Sequence, residues 1–418
     1  GWSDLRAIRS GRYKAIDAPR PELYDLELDP AETTNIFDTR RTLGDQMVAR
    51  LRQMDRDVRE AAPAEAPAVD VDPEVRARLA ALGYVGSFVA SASDARTDRA
   101  DPKDKIDLFN LMSSARDVAA EKGGFTRAVA MFNTVLKADP EVIDAWFSLG
   151  NLYFRERRYR DAIQRFSKAL ALKPDYDLAV INIAAAYRNL GDDDAALMGF
   201  ERYLEIDPRD PYVRYQMGEI YMDRGQLDRA ETEFRKALEI DDKVAQAKNA
   251  LGAVAFQRGD LASAESLAQA ALATKPDVRL AHYNLALIAE KRGNLPLAEK
   301  EYLLELEQHP DAFKAAFNLS RLYAQIGERD LELDALRQAL DGNPEFAKGY
   351  VFLAKAYLDR RMSVTEAAQL ARKGLELSPT GDSAPLAHYV LADIYDRQGR
   401  RADAAREFSA GRALETRR

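Results

Sequence analysis

Cysteine is absent from the 418 residues, histidine occurs three times and tryptophan twice. The first absence excludes disulfides, thiolate zinc sites and cysteine nucleophiles, and it leaves the compartment open. No run of 18 or more apolar residues occurs, so no segment is expected to span a membrane as a helix. A strong basic balance is missing as well: 61 Lys and Arg against 69 Asp and Glu give a net charge of −8. Nucleic-acid binding needs a concentrated basic face, so nucleic acid is not expected as the main partner. Hydrophobic residues at 46% and charged residues at 31% are ordinary for a water-soluble protein. One compact core rarely serves more than about 250 residues, so several units or an elongated array are expected. The opening GWSDLRAIRSGRYK has no starting methionine and no apolar export segment, and reads as a piece of a longer protein.

What the chain does contain is a period. Prolines fall at Pro140, Pro174, Pro208, Pro276, Pro310 and Pro344, with Asp242 where the missing one would stand. Counting Ile143 as position 1, Trp146, Leu149, Gly150, Tyr153, Ala162, Phe166, Ala169 and Pro174 occupy positions 4, 7, 8, 11, 20, 24, 27 and 32. The next units repeat this with Ile183, Ala184, Tyr187, Ala196, Phe200 and Tyr203, then Met217, Gly218, Tyr221, Ala230, Phe234 and Ala237. Spacing and pattern resemble the tetratricopeptide repeat. About nine units are expected, starting near Phe109, Ile143, Asp177, Pro211, Ala245, Arg279, Phe313, Ala347 and Pro385.

Large side chains at 4, 7, 11 and 24 recur at helical spacing and mark one buried stripe on each of two helices. Small residues at 8, 20 and 27 let the pair approach closely, and a bulky one there overpacks. Proline at 32 is expected to end the second helix. One pair cannot cover its own apolar face, so neighbours must stack. Three departures stand out. The first unit, with Ala115, Arg116 and Ala119 at positions 7, 8 and 11, reads as a terminal cap. Glu332 takes small position 20 in the seventh, and the turn Arg361-Met362-Ser363 of the eighth has one extra residue. No further amphipathic helix follows the ninth.

The first hundred residues differ. RAIRSGRYKAI reads as a strand with a turn at Ser10-Gly11. PELYDLELDPAETTNIFD reads as a second strand, a turn at Asp29-Pro30 and the approach to a helix over about Leu43–Arg59. Residues 61–104 read as a linker rich in Ala, Pro and acid, with a short helix over 73–82. The segments GWSDLRAIRSGRYKAI, LYDLELDPAET and DPEVRARLAALGYVG resemble the C-terminal end of bacterial sulfatases that carry a tetratricopeptide array. The fold class is therefore mostly α: an α-solenoid over 105–418, preceded over 1–60 by a small α+β remnant of the sulfatase C-terminal subdomain.

That resemblance implies a parent that is a metal-dependent sulfuric ester hydrolase in an exported or periplasmic setting. It brings no catalytic residue here. The family's nucleophile is made from a Cys or Ser in a C/S-x-P-x-R motif that this chain lacks, so the catalytic domain is expected upstream of residue 1. Without it, the strands over 1–60 are expected to be disordered or to dock on the first repeats or on the absent domain.

No other chemistry is indicated. His282 and His388 fall at position 4 as packing residues, and His309 precedes a helix-ending proline. No HExxH spacing, phosphate loop or nucleophile elbow occurs, and neither metal nor cofactor is expected. Asp192-Asp193-Asp194 is placed to cap a helix rather than to hold calcium. In the tetratricopeptide family, positions 2, 5, 6, 9 and 12 of the first helix face a concave groove that takes a protein or peptide. The resemblance thus implies a groove of Phe147, Asn151, Phe154, Asn182, Arg188, Tyr212, Tyr215, Glu219, Asn249, Phe256, Tyr283, Asn284, Glu290, Lys314, Phe317, Asn318, Arg321, Lys348 and Lys355. Asn182, Asn284 and Asn318 share position 6, as in family members whose asparagines hold an extended peptide, although such asparagines also simply suit a helix surface. The carboxylate clamp of chaperone-binding members is absent, since Phe147, Tyr212 and Gln216 stand at its places.

Overall fold

A computed structural model describes residues 5–61 and 102–416; the helix expected over 73–82 lies outside the described residues. Close approaches divide the chain into two units, Gly1–Arg209 and Asp210–Arg418.

The first unit opens with three antiparallel strands in the order β1 (Arg6–Ser10), β2 (Tyr13–Asp17), β3 (Glu22–Asp25). Ser10 pairs with Tyr13 and Ala15 with Leu23. RAIRSGRYKAI is therefore two strands, and its turn is Gly11-Arg12, one residue later than the sequence suggests. Gly11 has φ +60, where a side chain is strained. Helix α1 (Arg41–Ala61) lies on the sheet and buries Met47 and Val48 against Ala15, Leu23 and Phe37. Arg6–Asp55 at 2.5 Å and Arg52–Asp17 at 2.7 Å tie helix to strand. Residues 5–61 thus form a small lobe with its own apolar centre.

The acids of the LYDLELDPAETTN loop are spent on the loop and on the hairpin beside it. Asp25 pairs with Arg12 and accepts from the amides of Glu27 and Leu28. Asp29 accepts from the Thr34 amide at 2.7 Å, and Asn35 Oδ1 from the amides of Leu23 and Phe37. The guanidinium of Arg12 holds the Asp25 carboxyl below its ordinary range, and the Thr34 amide does the same for Asp29. A lowered native pKa contributes stability above the unfolded value, lost as pH falls through the native one. The protection of the Leu28 and Thr34 amides against hydrogen exchange is therefore expected to fall below about pH 4. In Asp25→Asn the Leu28 amide should show no such fall; a pH-independent Leu28 in the parent would refute the assignment.

Beyond a 3-10 turn at Pro102–Lys105 come nine helix pairs. The first unit holds α2 (Ile106–Ala120) with α3 (Phe125–Ala138), α4 (Ile143–Arg155) with α5 (Tyr159–Leu172), and α6 (Asp177–Asn189) with α7 (Asp193–Ile206). The second holds α8 (Pro211–Asp223) with α9 (Leu227–Ile240), α10 (Ala245–Gln257) with α11 (Leu261–Thr274), and α12 (Ala281–Lys291) with α13 (Leu295–Gln308). It continues with α14 (Phe313–Ile326) and α15 (Arg329–Gly342), α16 (Ala347–Asp359) and α17 (Val364–Leu377), and α18 (Ala384–Arg397) and α19 (Arg401–Glu415). The first pair starts three residues before the expected Phe109.

The 34-residue pattern acts as anticipated. Ala162, Ala196, Ala230 and Ala298 at position 20 are fully buried, as are Phe166 and Phe234 at position 24. A Cβ added to Gly150 or Gly218 would stand 2.4 Å from the ring of Phe166 or Phe234, so glycine there is a matter of space. Each of the nine turns between paired helices places one residue in the left-handed region. Seven are glycines, from Gly123 to Gly399, and two are Arg157 and Arg361, with φ 56 and 54. Glycine costs nothing there, whereas arginine accepts a strain of about 1 kcal/mol.

Proline is not required to stop a second helix. α9 ends two residues before Asp242, as the others end two residues before their prolines, and its Asp241 amide still bonds to the Ala237 carbonyl. Nor does Glu332 disturb position 20. Its carboxylate turns to Arg360 of the next pair at 3.0 Å, and Leu333 and Leu336 fill the core beside it.

Candidate binding face of the first helices

Positions 4 and 23 face each other within a pair, and charge complements charge there. Arg214 meets Glu233 at 3.1 Å, His282 meets Glu301 at 2.7 Å and His388 meets Glu407 at 2.7 Å. The histidines are thus half-buried hydrogen-bond partners of glutamates rather than plain packing residues. Trp146 and Arg165 make the same pairing as a ring under a guanidinium, 5.8 Å away. Asp192 accepts from the Ala195 amide as a helix cap.

The residues at positions 2, 5, 6, 9 and 12 divide three ways. Phe147, Asn249 and Phe317 are only 4%, 5% and 5% exposed. Phe147 lies 5.0 Å from Tyr176 and Phe317 5.1 Å from Phe346, each at the start of the following pair. At these two places the start of the next repeat covers position 5, so both rings are core and offer no free contact area; this corrects their assignment to an open groove. Half-buried are Asn151, Phe154, Asn182, Arg188, Tyr212, Tyr215, Glu219, Phe256, Tyr283, Asn284, Glu290 and Asn318. Lys314, Arg321, Lys348 and Lys355 are exposed.

The position-6 asparagines each reach back one repeat. In the first unit, Asn182 Nδ2 donates to Asn151 Oδ1 at 3.1 Å. In the second unit, Asn284 donates to Asn249 at 2.9 Å, and Asn318 to the Tyr283 hydroxyl at 3.2 Å. Asn249 in turn donates to the Arg279 carbonyl at 3.3 Å. These amides stitch neighbours together, and one N–H of each is spent in doing so. Phe147, Asn151, Phe154, Asn182 and Arg188 belong to the first unit, and the residues from Tyr212 onward to the second.

Two acids matter here, Glu290 of the expected groove and Glu305, which the sequence pattern does not single out. Tyr302, fully buried, donates to Glu290 Oε2 at 2.5 Å, and burial together with that bond pushes its hydroxyl pKa up. Glu305 takes small position 27 and is 0% exposed. It accepts from the amides of Leu280 at 2.8 Å and Tyr283 at 3.3 Å. Leu280 is left-handed, with φ 68, and α12 begins at Ala281 rather than Arg279. The carboxylate holds the positive end of the helix open where another first turn would coil. A glutamate in a place that alanine or glycine holds in most repeats is the signal for it.

Among the described residues no helix is long and apolar enough to cross a membrane, and no three His, Asp or Glu side chains are grouped to hold a metal ion. A model described as tetratricopeptide repeat matches residues 117–176, 149–211, 215–279 and 255–313, and a second of the same description matches 385–409. Together they span just over half of the chain. The chain belongs to the tetratricopeptide repeat family. Residues 314–384, outside those matches, hold the repeats with Glu332 and the long turn. Superkiller complex protein 3 of mouse is 34% identical over 91 residues, 22% of this chain and 6% of that protein. The peroxisomal targeting signal receptor of Komagataella phaffii is 34% identical over 74 residues, 18% of this chain and 13% of the receptor. The chain thus spans a small part of the curated relatives it matches. Yeast Tom70 superposes with a TM-score of 0.55 at 17% identity, over 91% of this chain and 79% of that one, a likeness of fold alone.

Proposed function

We propose that this tetratricopeptide array is a scaffold that binds a protein or peptide along the inner faces of its first helices, and has no catalytic site. The observation that carries the reading is the set of half-buried amides and tyrosines on those faces, above all Asn182, Asn284, Tyr212 and Tyr215. Each amide retains one donor and one acceptor edge beyond its bond to the preceding repeat. Half-buried tyrosines add contact area at low entropic cost. The relation to a receptor for a targeting signal is in keeping with this.

The combined Asn182→Ala and Asn284→Ala variant should weaken a partner captured by residues 105–418 at least about tenfold. Because Asn284 also satisfies buried Asn249, stability should fall by about 1 kcal/mol, and affinities are compared at equal folded fraction. Unchanged affinity rejects the groove.

A second reading rests on the sheet lobe. The LYDLELDPAETTN loop and its hairpin support a chain that is the C-terminal part of a sulfatase-like protein, with an exported or periplasmic setting. This chain should then show no turnover of an aryl sulfate with calcium, while a longer reading frame should. Upstream sequence without a C/S-x-P-x-R motif would remove this reading.

A further inference from the structure

Positions 2 and 9 lie seven residues apart, two helical turns, and so share one stripe of a first helix. Through the second to sixth repeats the ten residues at these positions include no lysine or arginine. In the seventh and eighth all four are cations: Lys314, Arg321, Lys348 and Lys355. All four are exposed. Lys355 is neutralised by Asp359 at 2.5 Å. Among the described residues, Lys314, Arg321 and Lys348 have no acidic partner. The Lys348 ammonium lies 5.3 Å from the Phe317 ring and 5.9 Å from the Phe352 ring, which fixes it across the two neighbouring helices α14 and α16.

A face that only needed hydration would mix both signs. Here three charges of one sign stand unneutralised. Lys314 and Arg321 are separated by a helical rise of about 10 Å, and packed neighbours such as α14 and α16 have axes about 10 Å apart. An extended chain of the polyproline II form has three residues per turn and advances about 3.1 Å per residue, so every third side chain falls on one face at about this spacing.

Resting on the reading of these faces as a groove, we propose that the seventh and eighth repeats take an extended acidic segment of a partner protein. Its carboxylates stand about three residues apart. A lone terminal carboxylate would call for converging cations, whereas these are spread.

The test uses the full chain and a fluorescent nonapeptide of three Glu-Ala-Ala units, acetylated and amidated, with a Gln-for-Glu control. At low salt the acidic peptide should bind at least about tenfold more tightly than the control, and lose this advantage as salt rises. The variant K314Q/R321Q/K348Q should abolish the difference. Equal binding of the control, an unaffected variant or no binding would overturn the proposal. So would tighter uptake of a single-stranded oligonucleotide of equal charge. A photoreactive group at the peptide's centre separates the two levels. Labelling of α15 and α17 alone sinks the groove itself; labelling of α14 and α16 by both peptides alike sinks only the acidic specificity.

Discussion

Phe234→Ala is expected to cost about 3–5 kcal/mol, while Phe408→Ala should cost less than about 1 kcal/mol. Both phenylalanines stand at position 24 of their repeats, and a reading of the pattern alone would weigh them equally. Phe234 is 0% exposed, lies under Gly218 and packs against Tyr215 at 5.8 Å. Removing it empties a site whose walls are helix backbone, which cannot collapse to fill it. Phe408 is 54% exposed and rests on Tyr389 at 5.4 Å, so truncation returns to water a surface already half wet. Urea unfolding followed by helical circular dichroism measures both. Equal losses would show that burial does not govern this position.

Glu305→Ala should lower stability by about 1–3 kcal/mol, although alanine is the residue that the repeat pattern favours there. The amides of Leu280 and Tyr283 lose their acceptor, and a buried donor without one costs that much. The competing outcome is specific. If residues 279–281 coil into a regular first turn, as at the start of the other repeats, they would satisfy their own amides. Helicity would then rise and the melting temperature would hold. Thermal unfolding with circular dichroism distinguishes the two, and a held or raised melting temperature refutes the capping role. Only in that competing outcome does Leu280 leave its left-handed backbone, a relief of about 1–2 kcal/mol.

The two acids that depart from the pattern behave differently, and sequence does not say which does what. Glu332 sits in a small place yet leaves the helix where the period puts it, because its carboxylate can reach Arg360. Glu305 sits in a small place and shifts a helix start by two residues, because what it can reach is backbone. Both are glutamates at positions normally held by small residues. The difference lies in which neighbour stands within reach of the carboxylate.

Sequence by itself determined the number of helix pairs, most of their starts and their buried stripes. Those follow from side-chain size at a fixed period, and local helix geometry turns period into facing. It also determined that residues 5–61 carry strands followed by a helix. The tertiary structure alone decided the two-strand hairpin with its turn at Gly11-Arg12, the burial of Phe147 and Phe317, and the bonds that Asn182, Asn284 and Asn318 make to the preceding repeat. It alone decided that, among the described residues, Lys314, Arg321 and Lys348 stand without acidic partners. The reason is one of range: a period specifies which face of a helix a residue takes. How much of that face remains open, and to which charge, depends on side chains that arrive from the next repeat, some thirty residues away.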